Sequence, residues 1–273
     1  YKSKGLTTVR MPVRWKRLQP TDKGALDATE MGRIDAEVAL ARERGMRLIL
    51  DPHDYANRNG HKIGSPEVPN AVFADFWGRL AARYKGESHV VFGLMNEPFS
   101  IGTAQWLGAA NAAIGAIRKS GAPNLILVPG VSWTGAHSWY SSGNAEAMTG
   151  VVDPGDNFAF EVHQYFDKDS SGTSDTCVSE TVGADRLKKF TAWMKEHGYR
   201  GLLGEFGVAR NDLCYKALDN ALSYIDDNRD VWLGWTYWAG GAWWGEYAFT
   251  VEPTEKFTKD RPQMKYLVKH ATP

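Results

Sequence analysis

The sequence has few cysteines, no excess charge of either sign and no long hydrophobic run. Among its 273 residues, Lys plus Arg and Asp plus Glu number 32 each, so the formal net charge is zero. Nucleic acids and anionic membranes attract basic proteins, so we expect neither as a partner. The longest apolar runs are far shorter than the roughly 18 to 20 residues that cross a bilayer. With 43% hydrophobic residues, the chain can bury a core, and a globular protein is expected.

Several cofactor and metal motifs are also missing. No glycine-rich phosphate loop follows an early strand, and there is no P-loop, EF-hand or His-Glu-x-x-His pattern. We therefore expect no cofactor and no metal. The chain begins Tyr1-Lys2-Ser3-Lys4, without a signal-peptide pattern.

Short apolar runs alternate with segments of helical periodicity. The runs predict strands at 6–13, 47–53, 90–97, 124–130, 158–166, 201–207 and 231–239. Helices are predicted at 27–44, 70–84, 105–120, 184–197 and 212–228. Nearly continuous apolar strands, each followed by a helix, are typical of a parallel sheet covered on its faces.

We interpret the pattern as a single (β/α)8 TIM barrel domain over residues 1–273. Seven strand–helix units are visible, so we expect the first strand to lie upstream of residue 1. A barrel is favoured over a doubly wound sheet because polar residues cluster where strands end, which is where barrels place their active sites. The strand ends supply Arg10, Asp51, His53, Asn96, Glu97, Trp133, His163, Tyr165, Glu205 and Trp238.

Two glutamates at strand ends carry the strongest chemical signal. Glu97 follows Asn96 and precedes Pro98, and Glu205 lies in an otherwise apolar strand end. A carboxylate there is costly unless it has partners or a function. Each alone could be a structural ion pair, but together they fit the two carboxyl groups that glycosidic hydrolysis requires.

The ordered set of motifs resembles the family 5 glycoside hydrolases, and among them the secreted β-1,4-endoglucanases. The motifs are Asn96-Glu97-Pro98, Gly204-Glu205-Phe206-Gly207, Arg10 in Val-Arg-Met-Pro, His53, His163-Gln164-Tyr165 and Trp238. The resemblance covers the chain from Leu6 to about Tyr266. It implies a retaining endo-β-1,4-glucanase that acts on cellulose and soluble β-glucans.

By this resemblance, Glu97 is the general acid/base and Glu205 the nucleophile. Arg10 and Tyr165 would keep Glu205 ionised through charge and hydrogen bonding. A second carboxylate roughly 5 to 5.5 Å away would help Glu97 to stay protonated before the first step.

The resemblance also implies substrate contacts. Asn96 would bind the sugar 2-hydroxyl, and His53 and His163 would orient carboxylates and hydroxyls. Trp238 would form the floor of the subsite next to the scissile bond. Further aromatic residues are candidates to line the groove on either side of the bond: Trp133, Trp139, Trp243 and Trp244. Asp54 departs from the asparagine that these enzymes often have after the histidine, and would add a charge near the site.

The two cysteines, Cys177 and Cys214, fall in loops after adjacent predicted strands, so a disulfide between them is expected, with two unrelated free thiols as the alternative. A disulfide and a polymeric substrate both indicate a secreted protein, here without its signal peptide. We expect a monomer.

Other functions stay open from the residues alone. A related β-mannanase or another β-glycanase would use the same mechanism. A metal-dependent barrel hydrolase or isomerase could use the histidines and carboxylates as ligands, and a non-catalytic glycan-binding barrel could keep the cleft alone.

Overall fold

The computed structural model describes residues 1–271. Nine strands are present in this range: β1 Thr8–Val13, β2 Arg47–Pro52, β3 Asn57–Arg58, β4 His61–Lys62, β5 Val90–Gly93, β6 Ile126–Pro129, β7 Phe158–His163, β8 Gly201–Glu205 and β9 Trp232–Trp235. The α-helices are α1 Trp15–Leu18, α2 Ala28–Glu43, α3 Asn70–Tyr84, α4 Thr103–Lys119, α5 Asn144–Ala147, α6 Val182–His197, α7 Asp212–Asp226 and α8 Gln263–Lys269. Each predicted strand and helix is present, with ends that differ by a few residues.

The chain divides into two compact units. The N-terminal unit comprises Thr8–Thr134 and Ser138–Glu161, and the C-terminal unit comprises Tyr1–Thr7, Gly135–His137 and the chain from Val162 onward. In the N-terminal unit, β1, β2, β5, β6 and β7 pair in this order, and all pairs are parallel. A short antiparallel hairpin, β3–β4, follows β2 and was not predicted.

Apolar periodicity explains the helices of the N-terminal unit. Helix α2 begins after Asp27, whose side chain accepts a hydrogen bond from the backbone N–H of Glu30 at 2.9 Å. Helix α3 buries seven residues along one face: Val72, Phe73, Phe76, Trp77, Leu80, Ala81 and Tyr84. Trp106 on α4 is fully buried and donates from Nε1 to the carbonyl of Pro129, the last residue of β6, at 2.7 Å. The helices therefore support the strand ends directly.

A buried ion pair joins α4 to the segment that precedes β7. Arg118 in α4 donates to both carboxylate oxygens of Asp153 at 2.7 and 2.8 Å. The backbone N–H groups of Gly155 and Asn157 also donate to this carboxylate, each at 2.9 Å. Burial acts to raise the pKa of Asp153, but the Arg118 guanidinium and the backbone donors outweigh it and hold that pKa below its usual value.

The C-terminal unit contains β8 and β9, which pair in parallel, and helices α6, α7 and α8. Trp232 in β9 donates from Nε1 to Thr191 Oγ1 on α6 at 3.0 Å. Gly183 at the start of α6 lies against α7, where an added Cβ would come within 2.5 Å of the Cβ of Ala221. A larger residue at this position would push the two helices apart.

The predicted disulfide is present. Cys177 and Cys214 are bonded, and their Cα atoms lie 5.3 Å apart. Cys177 lies in the loop after β7, and Cys214 lies in the first turn of α7. The bond therefore ties that loop to a helix of the same unit. Within residues 1–271, no helix has both the length and the hydropathy needed to span a membrane.

Candidate active site

A buried network of charges surrounds Arg10 in the N-terminal unit. Its guanidinium donates from Nε to Glu161 Oε1 at 2.7 Å and from Nη2 to Asn96 Oδ1 at 2.8 Å, and Nη1 lies 3.1 Å from Asp51 Oδ2. The charged side chains of the network are 4% exposed or less. Buried charges destabilise a fold strongly when they lose a partner. The network therefore links β1, β2 and β7 with the segment that follows β5.

His53 is oriented by the same network. Its Nδ1 lies 2.8 Å from Asp51 Oδ2, and a carboxylate only accepts, so this nitrogen carries a proton. The backbone N–H of His53 donates to the carbonyl of Val13 at 2.8 Å, which fixes the start of the loop after β2. The imidazole thus has a defined orientation, as a residue that contacts substrate requires.

Asn96 and Glu97 follow β5. The Asn96 side chain is 1% exposed, and its Nδ2 has no hydrogen-bond partner within residues 1–271. Glu97 is half-buried and has a φ of 44°, which is uncommon for a residue other than glycine. Trp77 in α3 donates to the carbonyl of Leu94 at 3.1 Å and supports this segment. Unusual backbone conformations and unpaired buried donors are both concentrated at functional sites.

Trp133 forms an exposed aromatic platform with Phe99. Their rings stack with centroids 4.0 Å apart, and the side chains are 48% and 39% exposed. Ser132, Trp133 and Thr134 all have positive φ, between 51° and 57°. The backbone N–H of Trp133 donates to the carbonyl of Pro98 at 3.2 Å, which ties the platform to the residue after Glu97.

Glu205 at the end of β8 is the main carboxylate of the C-terminal unit. It is 6% exposed, and the Tyr165 hydroxyl donates to its Oε1 at 2.8 Å. His163 Nδ1 lies 3.9 Å from Oε2, which is too far for a hydrogen bond. Burial, and then the negative charge of Glu205, raise the pKa of Tyr247 to about 12. Glu205 is therefore a buried carboxylate with a hydroxyl donor and a nearby imidazole.

A chain of aromatic contacts leads from Trp238 toward the residues around Glu205. The ring of Trp238 lies 5.0 Å from that of Trp244, which lies 5.1 Å from Tyr247. Tyr247 contacts Phe249 at 5.2 Å, and Phe249 contacts Tyr165 at 6.1 Å. Because Tyr165 donates to Glu205, the loop that carries Trp244 packs against residues that position this carboxylate.

The structure corrects one predicted site residue. Trp139 is 0% exposed and packs against Phe160, with ring centroids 5.8 Å apart. A side chain that is fully enclosed in the core cannot stack on a sugar, so the prediction for Trp139 was wrong. In contrast, Trp243 is 92% exposed, in the loop after β9.

Asp54 has a structural partner on each carboxylate oxygen. Its Oδ2 accepts from the backbone N–H of Trp15 at 2.8 Å, and its Oδ1 accepts from Arg14 at 3.1 Å. It therefore supports the start of α1, and Arg14 compensates the charge that was expected to act near the site.

Two residues of the site were not predicted. Glu161 is 1% exposed and pairs with Arg10 inside the network. A signal was present, since a charged residue in the middle of Phe-Ala-Phe-Glu-Val-His is the same anomaly that singled out Glu205. Phe99 directly follows Asn96-Glu97-Pro98, but nothing in the sequence alone pairs it with Trp133.

Comparison with known proteins identifies close relatives. The family model described as Cellulase (glycosyl hydrolase family 5) matches residues 1–241. Endo-beta-1,4-glucanase B of Aspergillus niger is 37% identical over 253 residues, which cover 92% of this chain and 75% of the relative. Among solved structures, an endo-beta-1,4-glucanase from Xanthomonas axonopodis pv. citri has 49% identity and a TM-score of 0.96, and the match covers 98% of this chain and 86% of that chain. XacCel5A in complex with cellopentaose has 48% identity and a TM-score of 0.97, over 99% and 88% of the two chains.

Proposed function

Because the chain belongs to glycosyl hydrolase family 5, a family of retaining (β/α)8-barrel enzymes, we propose that it hydrolyses internal β-1,4-glucosidic bonds of cellulose and soluble β-glucans with Glu97 and Glu205. The chain is a retaining glycoside hydrolase. Relatives named endo-β-1,4-glucanase, and the cellopentaose bound to XacCel5A, support a β-glucan oligosaccharide or polysaccharide as the substrate. The observation that carries the residue assignment is the buried carboxylate of Glu205, with Tyr165 donating to it.

Glu205 is the nucleophile. In the first step its carboxylate attacks the anomeric carbon, the glycosidic bond breaks, and a covalent glycosyl–enzyme ester forms. The Tyr165 hydroxyl favours the ionised form of Glu205 because it donates to Oε1.

Glu97 is the acid/base. It donates a proton to the leaving oxygen while Glu205 attacks, and the leaving sugar departs as an alcohol. In the second step the Glu97 carboxylate takes a proton from water, whose oxygen attacks the anomeric carbon and releases Glu205. Two inversions give net retention of configuration. Glu97 is half-buried, which leaves its carboxyl group accessible to a leaving group.

Asn96 binds the hydroxyl next to the reacting carbon. Its Oδ1 is held by Arg10, so the amide has a fixed orientation and Nδ2 is left to donate to substrate. A buried donor without a protein partner is costly in the free enzyme, and a substrate hydroxyl would satisfy it. His53, held by Asp51, has a similar supporting role.

Aromatic faces bind pyranose rings on both sides of the bond. Trp133 and Phe99, near Glu97 in the chain, serve the leaving-group side. Trp238, Trp244 and Trp243 serve the other side. Indole and phenyl faces bind the C–H groups of a sugar face and exclude water.

The protein acts outside the cell as a monomer. A polymeric glucan does not enter cells, and the Cys177–Cys214 bond persists in an oxidising compartment.

The test is reducing-end release from carboxymethylcellulose by wild type, Glu205→Gln and Glu97→Gln, all in the presence of a chelator. We expect wild type to be active and both variants to lose several orders of magnitude in kcat. Glu196→Gln, an exposed residue of α6, is the matched control and should retain full activity. Equal activity in all four proteins would refute the assignment, and loss of wild-type activity in chelator would favour a metal enzyme.

Azide rescue assigns the two roles. With an activated aryl cellobioside, Glu205→Ala plus azide should yield the α-glycosyl azide, and Glu97→Ala plus azide the β-glycosyl azide. The opposite products would exchange the roles of the two residues.

A parallel assay on β-mannan tests the related β-mannanase alternative, which predicts a higher rate on mannan than on glucan.

A further inference from the structure

The N-terminal unit contains a cleft from which the proposed function uses only Phe99. Its volume is about 460 Å³, within the roughly 300 to 1,000 Å³ of typical small-molecule sites. We call it the basic cleft. The lining residues that matter here are Arg14, Lys16, Asp54, Arg58, Lys62 and Phe99. Four of these six are cationic and one is anionic.

Two of the cations are neutralised by carboxylates. Arg14 pairs with Asp54 at 3.1 Å, and the buried Arg58 donates from Nε to Asp22 at 2.5 Å. Lys16 and Lys62 have no carboxylate within ion-pair distance among residues 1–271. Two uncompensated positive charges in one concave surface attract an anionic ligand.

The Lys62 ammonium lies beside the aromatic platform. Its Nζ donates to the carbonyl of Tyr55 at 3.2 Å and lies 5.6 Å from the centroid of the Phe99 ring, which stacks on Trp133. Burial lowers the pKa of Lys62. A sugar that stacks on the platform would bring a substituent at its edge toward this cation.

We propose that the basic cleft is a subsite for a sugar that carries a carboxylate, on the leaving-group side of the scissile bond. The proposal rests on the proposed function, because Phe99 lies two residues after Glu97, the residue that protonates the leaving oxygen. The enzyme then prefers β-1,4-glucan chains with acidic substituents in that position to neutral chains. A neutral glucan would leave Lys16 and Lys62 without a counter-charge.

The first test compares an anionic with a neutral cellulose derivative. We measure kcat/KM on carboxymethylcellulose and on hydroxyethylcellulose for wild type, Lys16→Met/Lys62→Met and the control Lys119→Met, an exposed residue at the end of α4. Methionine keeps the apolar stem and removes the charge. The ratio of the two kcat/KM values should fall about three- to tenfold in the double variant and stay unchanged in the control. Salt at about 0.5 M should lower the wild-type ratio, since it screens exposed charges.

An unchanged ratio in the double variant would overturn the proposal. An equal loss on both polymers would also overturn it, because it would show a role in binding any glucan. If wild type cleaves neither polymer, the proposed function fails. The binding measurement described next would still show whether the basic cleft binds a sugar carboxylate.

The second test measures binding without turnover. Calorimetry on Glu205→Gln compares cellotetraose with cellotetraose that is oxidised to a C6 carboxylate at either its reducing-end or its non-reducing-end unit. We expect tighter binding for the reducing-end carboxylate only, and loss of this gain when Lys62→Met is added. Equal affinities for all three sugars, or a gain for the non-reducing-end carboxylate, would refute the subsite.

Discussion

Replacement of Tyr165 by Phe tests how Glu205 is kept ionised. The change removes one hydroxyl, which donates to Glu205 Oε1 at 2.8 Å in a site where both side chains are less than 10% exposed. The ring stays, and with it the contact between Tyr165 and Phe249. The variant should therefore fold as wild type does and lose only the donor.

The expected magnitude follows from the charge on the acceptor. A hydrogen bond to an ionised group contributes about 1.5 to 3 kcal/mol. At 1.4 kcal/mol for each factor of ten, its loss lowers the ionisation constant of the Glu205 carboxyl group by roughly ten- to 150-fold. The acidic limb of the kcat/KM profile should therefore move to higher pH in the variant. The reduction in kcat/KM relative to wild type should be smaller at the pH optimum and above it than on the acidic limb.

The assay is the pH profile of kcat/KM on an aryl cellobioside. Tyr224→Phe, a half-buried residue of α7 in the same unit, is the matched control and should give the wild-type profile. An unshifted acidic limb, or an equal loss at every pH, would show that Tyr165 does not act by stabilising the carboxylate.

Three further changes test other parts of the structure. Asp153→Asn should cost about 3 kcal/mol of unfolding free energy at neutral pH. Because the folded-state pKa of Asp153 is lowered, the difference in unfolding free energy between wild type and variant should shrink as the pH falls below about 4. Urea unfolding at several pH values measures this difference, and a difference that stays constant with pH would contradict the prediction. Replacing Cys177 and Cys214 by Ser should lower the free energy of unfolding by roughly 4 kcal/mol, because the disulfide closes a loop of 37 residues. An unchanged melting temperature would refute this prediction. Trp139→Phe should lower the melting temperature through a core cavity and leave KM unchanged, whereas a raised KM would return Trp139 to the substrate groove.

The sequence pattern located the seven longer strands and five of the eight helices, and it missed the short helices α1, α5 and α8. The predicted helix at 70–84 coincides with α3, because Val72, Phe76 and Leu80 recur at helical spacing and all face the core. The strands at 47–53 and 201–207 were located from short apolar runs, residues 48–50 and 202–203, that are followed by polar strand ends. The β3–β4 hairpin was missed, since its strands have two residues each and show no periodicity.

The site was predicted less completely than the fold. Glu205 was predicted because a carboxylate in an apolar strand is an energetic anomaly, and Glu161 shows the same anomaly in the sequence. Trp139 was misassigned because a tryptophan in a loop after a strand looks the same whether it faces a groove or the core. Sequence spacing gives the position of a side chain along the chain and not the direction in which it points.

The sequence by itself determined the order of the longer strands and helices through local periodicity and apolar runs. It singled out the two carboxylates through the cost of a charged group at an apolar strand end, and the cysteine pair through loops that follow adjacent strands. The tertiary structure decided which partners those groups have. The sharing of Arg10 among Asp51, Asn96 and Glu161 joins residues up to 151 positions apart in the chain. The stacking of Phe99 on Trp133 and the hydroxyl of Tyr165 on Glu205 depend in the same way on side-chain directions that are set only when the strands and loops pack.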